Sequence, residues 1–520
     1  MVTVNRNIMS KKYVGVSGLS LHDAGLTLLD DKGNIEFASQ TERYTKAKHD
    51  RIIPAEMWER VCGTDIAADI DSNIIITMND DWKVRENFRK GFLQGLGRDI
   101  GKNLSTTEGW NFKVTVPSSL NTEHHYSHAC AALMTRPQSF ERKDCVTVVI
   151  DGVGEYRSAA IFNSKLELVW QMTFPKSIGY LYAFFTQAVP HMNLNANEDE
   201  YVVMGLSSYG EPTHWERVYE MFECTNETDP DKRIDMFWVD MYKLKLQPLR
   251  AIVSMLLEEC KNIEDAAASL QRATEEMILD IMHEARKYGT HLCYGGGVAQ
   301  NIIANGRVKE LFDATWIDLN SGDGGASLGA AGSQFMKDTG IDRLNWTSPF
   351  LGYNIEGNLD PEKVVDDLFK NRVCGIANGR AEFSHRAYGN RSLIADVRYD
   401  VQSTVNTIKQ RQQFRPFAPA ILEEHAEEYF SGPMNQWMQY CATAKHDYKS
   451  VTHVDGTGRV QLVPKDCKSV FRQVIECYYE RTGVPMLLNT SLNIRGMPMV
   501  NDEQDAKDFT MKYGVNVWTS

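Results

Sequence analysis

The sequence predicts an α/β protein in two units, residues 1–345 and 346–520, the first built from a duplicated half. Three observations predict it. A strand, loop, strand, hairpin, strand pattern runs through residues 11–40 and again through 145–174. Downstream, strands alternate with glycine-rich turns and helices of 3.6-residue period. Periodicity then lapses over residues 341–360 (IDRLNWTSPFLGYNIEGNLD), where Pro, Gly and Asn accumulate and a linker is expected.

The elements follow in order. KKYVGVSG (11–18), AGLTLLD (24–30) and IEFASQ (35–40) read as strands, with DDKGN as a turn. CVTVVIDGVGE (145–155) is a buried strand ending in Asp-Gly, followed by SAAIFNS (158–164) and LELVWQMTF (166–174). Two such triplets outline the duplicated actin/hexokinase-like (ASKHA) phosphate-binding fold, whose halves face each other across a ligand cleft. DAAASLQRATEEMILDIMHEAR (265–286) is helical by period and by residue type. It leads to HLCYGGGVAQNIIANGR, where a strand ends at Tyr294, Gly295–Gly297 form a loop and a helix is expected from Ala299. Glycines let a backbone approach a ligand closely, and a following helix N-terminus favours an anion. ATWIDLN (314–320) is another strand, leading to SGDGGASLGAAGSQF with Asp323 at the mouth of its helix. Beyond the linker, strands such as VCGIAN and VPMLLN mix with helices such as SVFRQVIECYYERT in a separate α/β unit.

Composition narrows the functions. The 520 residues are 42% hydrophobic, as in soluble globular proteins, and no run of eighteen apolar residues predicts a membrane span. The opening segment has no signal-type apolar run and reads as a short tail before a strand. Ten cysteines without a CxxC spacing argue against a zinc ribbon or disulfide framework and suit a reducing cytoplasm. A net charge of −13 disfavours nonspecific nucleic-acid binding over the whole surface. Residues 83–113 are locally basic and interleaved with aromatics. They read either as a solvated helix face or as a contact for a polyanionic or base-containing acceptor.

NTEHHYSHACAAL (121–133) holds three histidines. On a helix, His124 and His128 share a face and His125 points elsewhere. No glutamate stands between His124 and His128, as an HExxH protease needs, so that chemistry is disfavoured. A core histidine with satisfied hydrogen bonds explains the pair equally well on spacing alone. Asp151 and Asp323, however, each sit at a glycine-rich turn, one in each half. Two imidazoles and two carboxylates form a mixed N/O set suited to Fe²⁺, Mn²⁺ or Zn²⁺. Such an ion could polarise a carbonyl or phosphoryl oxygen, or align a hydroxyl.

The chain resembles the O-carbamoyltransferase family that modifies nodulation factors, cephem antibiotics and aminoglycosides. The matching segments include VGVSGLSLHDAGLTLL, ASQTERYTKAKHD, HHYSHA, DGVGE, YVVMGLSSYGEP, GGGVAQNIIANGR, GDGGASLGAA, GNRSLIAD, KQRQQFRPFAPAIL and NTSLNIRGMP, in the family's order. The first unit is also similar to tRNA threonylcarbamoyladenosine transferases, where an HxxxH helix and an aspartate hold iron. The resemblance implies that His124, His128, Asp151 and Asp323 are metal ligands, with Fe²⁺ the expected ion. His22 and Asp23 match the family's HD pair and are expected to touch substrate, with His22 the acid/base. Gly152, Gly296, Gly297 and Asn301 are expected to hold carbamoyl-adenylate.

KQRQQFRPFAP places Lys409, Arg411 and Arg415 within seven residues, and LLNTSLNIRG carries Asn489, Ser491 and Asn493. GRAEFSHRAYGNRSLIADVR adds Arg386 and Arg391. Forked cations with hydroxyl and amide groups suit polyphosphate recognition, and interdomain salt bridges are the plainer alternative. Lys409-x-Arg411 with Ser491-x-Asn493 resembles the KxR…SxN tetrad of YrdC-like domains. That resemblance implies ATP, with Mg²⁺ as its companion, and carbamoyl phosphate as substrates for carbamoyl-adenylate. SHRAYGNRS stands where the family has GPRALGNRS, and Val202 replaces a usual lysine, which points to a divergent acceptor pocket.

The leading expectation is an ATP-dependent O-carbamoyltransferase, cytoplasmic, monomeric or homodimeric. Its acceptor would be a small hydroxyl compound or a hydroxymethylpyrimidine in a nucleotide or in DNA. The alternatives are a transferase acting on tRNA adenosine and a non-catalytic actin-like nucleotide-binding module.

Overall fold

The computed structural model describes residues 11–18, 23–50, 53–62, 74–79, 119–225 and 246–519. His22 and the 83–113 patch lie outside the described residues.

The first unit holds two five-stranded sheets of one topology. In one, β1 (Lys12–Ser17), β2 (Gly25–Leu29), β3 (Ile35–Gln40), β4 (Ile74–Met78) and β5 (Ser119–Asn121) run in the order 3-2-1-4-5. In the other, β6 (Cys145–Ile150), β7 (Arg157–Phe162), β8 (Leu168–Thr173), β9 (His291–Gly295) and β10 (Ala314–Ile317) repeat that order as 8-7-6-9-10. Pairing repeats as well. The first three strands of each half are antiparallel, and the last two add in parallel. This is the actin-like duplication expected from the sequence. β6 (CVTVVI) is buried at every position, as its unbroken apolar run requires for a strand covered on both faces.

The halves exchange their last helices. His124–Met134 follows β5 yet packs on β6 and β9, and Ala326–Thr339 follows β10 yet packs on β1 and β2. The two helices also pack on each other, so closely that a Cβ on Gly329 would lie 1.7 Å from the Ser127 carbonyl oxygen. Leu133, Met134, Leu328 and Phe335 seal this seam. Each such side chain contributes about 1.5–3 kcal/mol when fully buried. The helix carrying His124 and His128 is therefore anchored by its apolar remainder.

Two local expectations are corrected. The turn after β9 is a 3-10 segment, Gly297–Gln300, and the α-helix is Ile302–Lys309. Its start is set by Asn301, whose side chain accepts from the Ala304 N–H at 3.1 Å. The expected linker carries a strand, Phe350–Ile355, paired with Gly379–Glu382 across a bulge. That bulge breaks the alternation by which a strand would be read.

The C-terminal unit is built on a mixed six-stranded sheet. Its order is Gln461–Val463, Ala418–Leu422, Met486–Ser491, Arg391–Ala395, Val373–Ala377 and Val517–Trp518. Helices Pro361–Asn371 and Val470–Thr482 pack together and on this sheet. Ser469 caps the second of them, and Gly483 ends it in a left-handed turn. Polar contacts join this unit to the first. The fully buried Arg43 donates to the carbonyls of Glu382 (3.2 Å) and Val500 (3.4 Å), and Arg495 meets Asp199 at 3.2 Å. Among the described residues no helix is long and apolar enough to cross a membrane.

Candidate functional site

One crevice forms where β6, the turn after β9 and the two exchanged helices meet. Asp151 follows β6, and its Oδ1 accepts from the Gly152 N–H (2.8 Å) and the Gly297 N–H (3.4 Å). Its Oδ2 faces His124 Nε2 at 3.0 Å and His128 Nε2 at 3.4 Å. Asp323, at the mouth of Ala326–Thr339, places Oδ1 at 3.4 and 3.5 Å from the same two nitrogens. The nitrogens are 3.3 Å apart. All four ligand atoms thus lie within 4.8 Å of one another. His125 points away and packs against Gly154, and burial pushes its imidazole down to about 3.

The donor set has the spacing of atoms that share one ion. Atoms sharing a metal at about 2.1 Å stand roughly 3.0–3.4 Å apart, the edges of an octahedron or tetrahedron. The observed nitrogen–oxygen and nitrogen–nitrogen separations match those edges. Both imidazoles are buried and turn Nε2 toward the carboxylates. The residues fit a divalent first-row ion. Their charges are already mutually adjusted. Burial pushes the Asp151 carboxyl up, but hydrogen bonds with His124 and His128 prevail and hold it well below the usual carboxylate range. Burial opposes charge on His128, yet hydrogen bonds to Asp151 and Asp323 raise its imidazole.

The crevice opens into a cavity of about 280 Å³ lined by Asp23, Asp151, Gly152, Glu198, Glu200, Tyr201, Gly297, Asn301 and Asp323, among others. No lysine or arginine lines it among the described residues. Asp23, at a left-handed φ of 55°, pairs with His49 Nδ1 at 2.6 Å, and His49 Nε2 lies 3.5 Å from Glu198. His49 and Glu155, which accepts from the His124 N–H at 2.9 Å, escaped the sequence reading. Gly296 does not line the cavity. It has a φ of 88°, and a Cβ there would lie 2.3 Å from the Ile150 carbonyl oxygen, so it serves the backbone approach.

A second cavity, of about 190 Å³, lies beside the first. Arg411, Arg415, Phe417, Cys441, Asp455 and Arg459 line it, with Tyr201 and Met204 shared between the two. Arg411 stacks on Phe417 (4.3 Å to the ring centre), and Arg415 stacks on Tyr201 (4.4 Å). Behind them the buried Lys409 ammonium donates to Asn493 Oδ1 (3.0 Å) and Ser491 Oγ (3.3 Å), so the fold brings this tetrad together. Lys409 does not line the cavity; it fixes Ser491 and Asn493. Burial, then Arg411 and Arg415, hold its ammonium well below the ordinary value. Burial and Arg386 bring Arg459 down to about 9. Among the described residues no carboxylate pairs with Arg386, Lys409, Arg411, Arg415 or Arg459. Arg459 also escaped the sequence reading, because GTGRV carries no cationic cluster.

Two expected ligands are corrected. Arg391 is fully buried, and its guanidinium is spent on the carbonyls of Asn501, Asn378, Gly379, Asn390 and Tyr353 at 2.7–3.2 Å. Asn489 is also fully buried, donating to Ala387 O (3.1 Å) and Gln461 Oε1 (2.6 Å). Neither lines either of these two cavities, and both hold the sheet.

Two family models match the chain: Carbamoyltransferase N-terminus over residues 12–332 and Carbamoyltransferase C-terminus over 365–519. An uncharacterized Synechocystis protein is 28% identical, over 93% of this chain and 92% of its own. Nodulation protein NolO of Bradyrhizobium diazoefficiens is 30% identical, over 74% of this chain and 75% of its own. Among solved structures, the activator of 2-hydroxyisocaproyl-CoA dehydratase from Clostridium difficile aligns with a TM-score of 0.33 at 12% identity. It covers 65% of this chain and 100% of its own. The two family models together define the chain as an enzyme of group transfer. The chain is a member of the carbamoyltransferase family, and the activity it carries is carbamoyl transfer.

Proposed function

We propose that the chain is an ATP-dependent O-carbamoyltransferase working in two steps, one per cavity. In the second cavity, carbamoyl phosphate and water give carbamate and phosphate. A carbamate oxygen then attacks the α-phosphorus of ATP, the bond to the β-phosphate bridge breaks, and carbamoyl-adenylate and pyrophosphate form. Arg411, Arg415 and Arg459 would offset charge on the leaving phosphates, with Arg386 alongside. Ser491 and Asn493, held by Lys409 behind these arginines and lining neither cavity, would brace the pocket. In the crevice an acceptor hydroxyl attacks the carbamoyl carbon. Its proton passes to a base, for which His22 and Asp23 are the candidates, and AMP leaves. His124, His128, Asp151 and Asp323 would hold a divalent ion, Fe²⁺ by family resemblance, which supplies Lewis acidity when bound. Gly152, Gly297 and Asn301 would border the adenylate.

The observation that carries this reading is a pair of adjoining cavities, one lined by carboxylates and the other by arginines that pair with no carboxylate among the described residues. A polyphosphate would account for the arginines, and a metal-assisted acceptor step for the cluster of histidines and carboxylates. The acceptor would be a small hydroxyl compound, or a hydroxymethylpyrimidine nucleotide or DNA using residues 83–113. The test is mass spectrometry after incubation with ATP, carbamoyl phosphate and a panel of both acceptor kinds. A carbamoyl mass increment with stoichiometric pyrophosphate is expected; an increment without ATP would refute the route.

A further inference from the structure

Both cavities are bordered by the short helix Glu200–Leu206. Tyr201 and Met204 are the two residues that face both of them. Tyr201 is 45% exposed, so the core does not fix its ring. Two polar neighbours set it instead. The Arg415 guanidinium lies 4.4 Å from its ring centre, and its hydroxyl is 3.4 Å from Asp199 Oδ1. Asp199 in turn meets Arg495 at 3.2 Å, tying the base of this helix to the C-terminal unit.

We propose that Tyr201, stacked on Arg415, is a positioning residue that closes the wall between the cavities and keeps the activated carbamoyl group from water during its passage. The inference rests on the two-step reading above. An acyl-adenylate hydrolyses readily, so a partition it crosses without meeting bulk solvent preserves it. Arg415 links the partition to the contents of the arginine cavity. Phosphate oxygens that engage its guanidinium compete with the aromatic face for the same cation. Met204, unbranched and flexible, lets the opening admit a bulky group.

The test needs no acceptor. The full chain is incubated with ATP and carbamoyl phosphate and passed rapidly through an ultrafilter. Free carbamoyl-adenylate in the filtrate is measured by mass spectrometry as a ratio to pyrophosphate formed. Tyr201→Ala is expected to raise that ratio several-fold, and Tyr201→Phe, which keeps the ring over Arg415, to leave it as in the unaltered chain. An equal ratio in the Ala variant overturns the partition. Loss of pyrophosphate in the Ala variant alone would make Tyr201 a nucleotide contact and also overturn it. If the unaltered chain forms no pyrophosphate, the two-step reading fails and this inference falls with it.

Discussion

The crevice cavity is lined by Asp23, Asp151, Glu198, Glu200 and Asp323 and by no described lysine or arginine. Its neighbour is lined by Arg411, Arg415 and Arg459, with Asp455 the one carboxylate among the described lining. Asp455 accepts from Ser208 and Thr457 at 2.9 and 2.7 Å, and among the described residues it forms no ion pair with these arginines. The crevice carboxylates are met by His49, His124 and His128, whereas among the described residues the arginines of the second cavity pair with no carboxylate. A third buried charge shows the contrast. Asp396, fully buried, receives Arg398 at 2.8 Å and the Tyr478 hydroxyl at 2.6 Å, and is balanced within the fold. Balanced charges serve stability, and unbalanced ones serve a ligand.

The largest expected effect is in the crevice. Asp151→Asn should lower carbamoyl transfer by about 10²–10³-fold, with pyrophosphate release retained and bound metal reduced by elemental analysis. Arg411→Ala should do the reverse, lowering pyrophosphate release by about 10²-fold while metal content stays the same.

Stability should sort the same residues differently. Asp396→Asn removes an acceptor that Arg398 and Tyr478 share, and should cost about 2–3 kcal/mol in urea denaturation at neutral pH. Its cations and hydrogen bonds outweigh burial and hold the Asp396 carboxyl below the ordinary range. A depressed folded pKa stabilises above the unfolded value of about 3.9, and the benefit fades as pH falls through the folded value. The variant and the unaltered chain should therefore converge in acid. The smallest effect is expected at Arg415. Arg415→Gln relieves repulsion and should leave stability unchanged or raise it by up to about 1 kcal/mol. Marked destabilisation there would break the contrast between balanced and unbalanced charge.

Much of this was legible in the chain. The strand triplets announced the duplication because each buried strand is a short apolar run between turn residues. The HxxxH spacing and the two strand-end aspartates pointed to the crevice because helix and strand geometry fix where such side chains project. What escaped depends on distant segments meeting. Tyr201 and Arg415 are far apart in sequence, and nothing local marks either as the other's partner. Arg391 looked like a phosphate ligand because composition counts a guanidinium without showing the five carbonyls that consume it. The exchange of the two terminal helices is equally invisible, since apolar period shows that a helix packs and not on which sheet.

The central claim is that the arginine cavity makes what the carboxylate cavity consumes. The most direct measurement supplies synthetic carbamoyl-adenylate, without ATP or carbamoyl phosphate, to Arg411→Ala and to Asp151→Asn, with an acceptor that the unaltered chain modifies. Transfer by Arg411→Ala at the unaltered chain's rate, with none by Asp151→Asn, is the expected result. Equal transfer by both variants, or by neither, would contradict it.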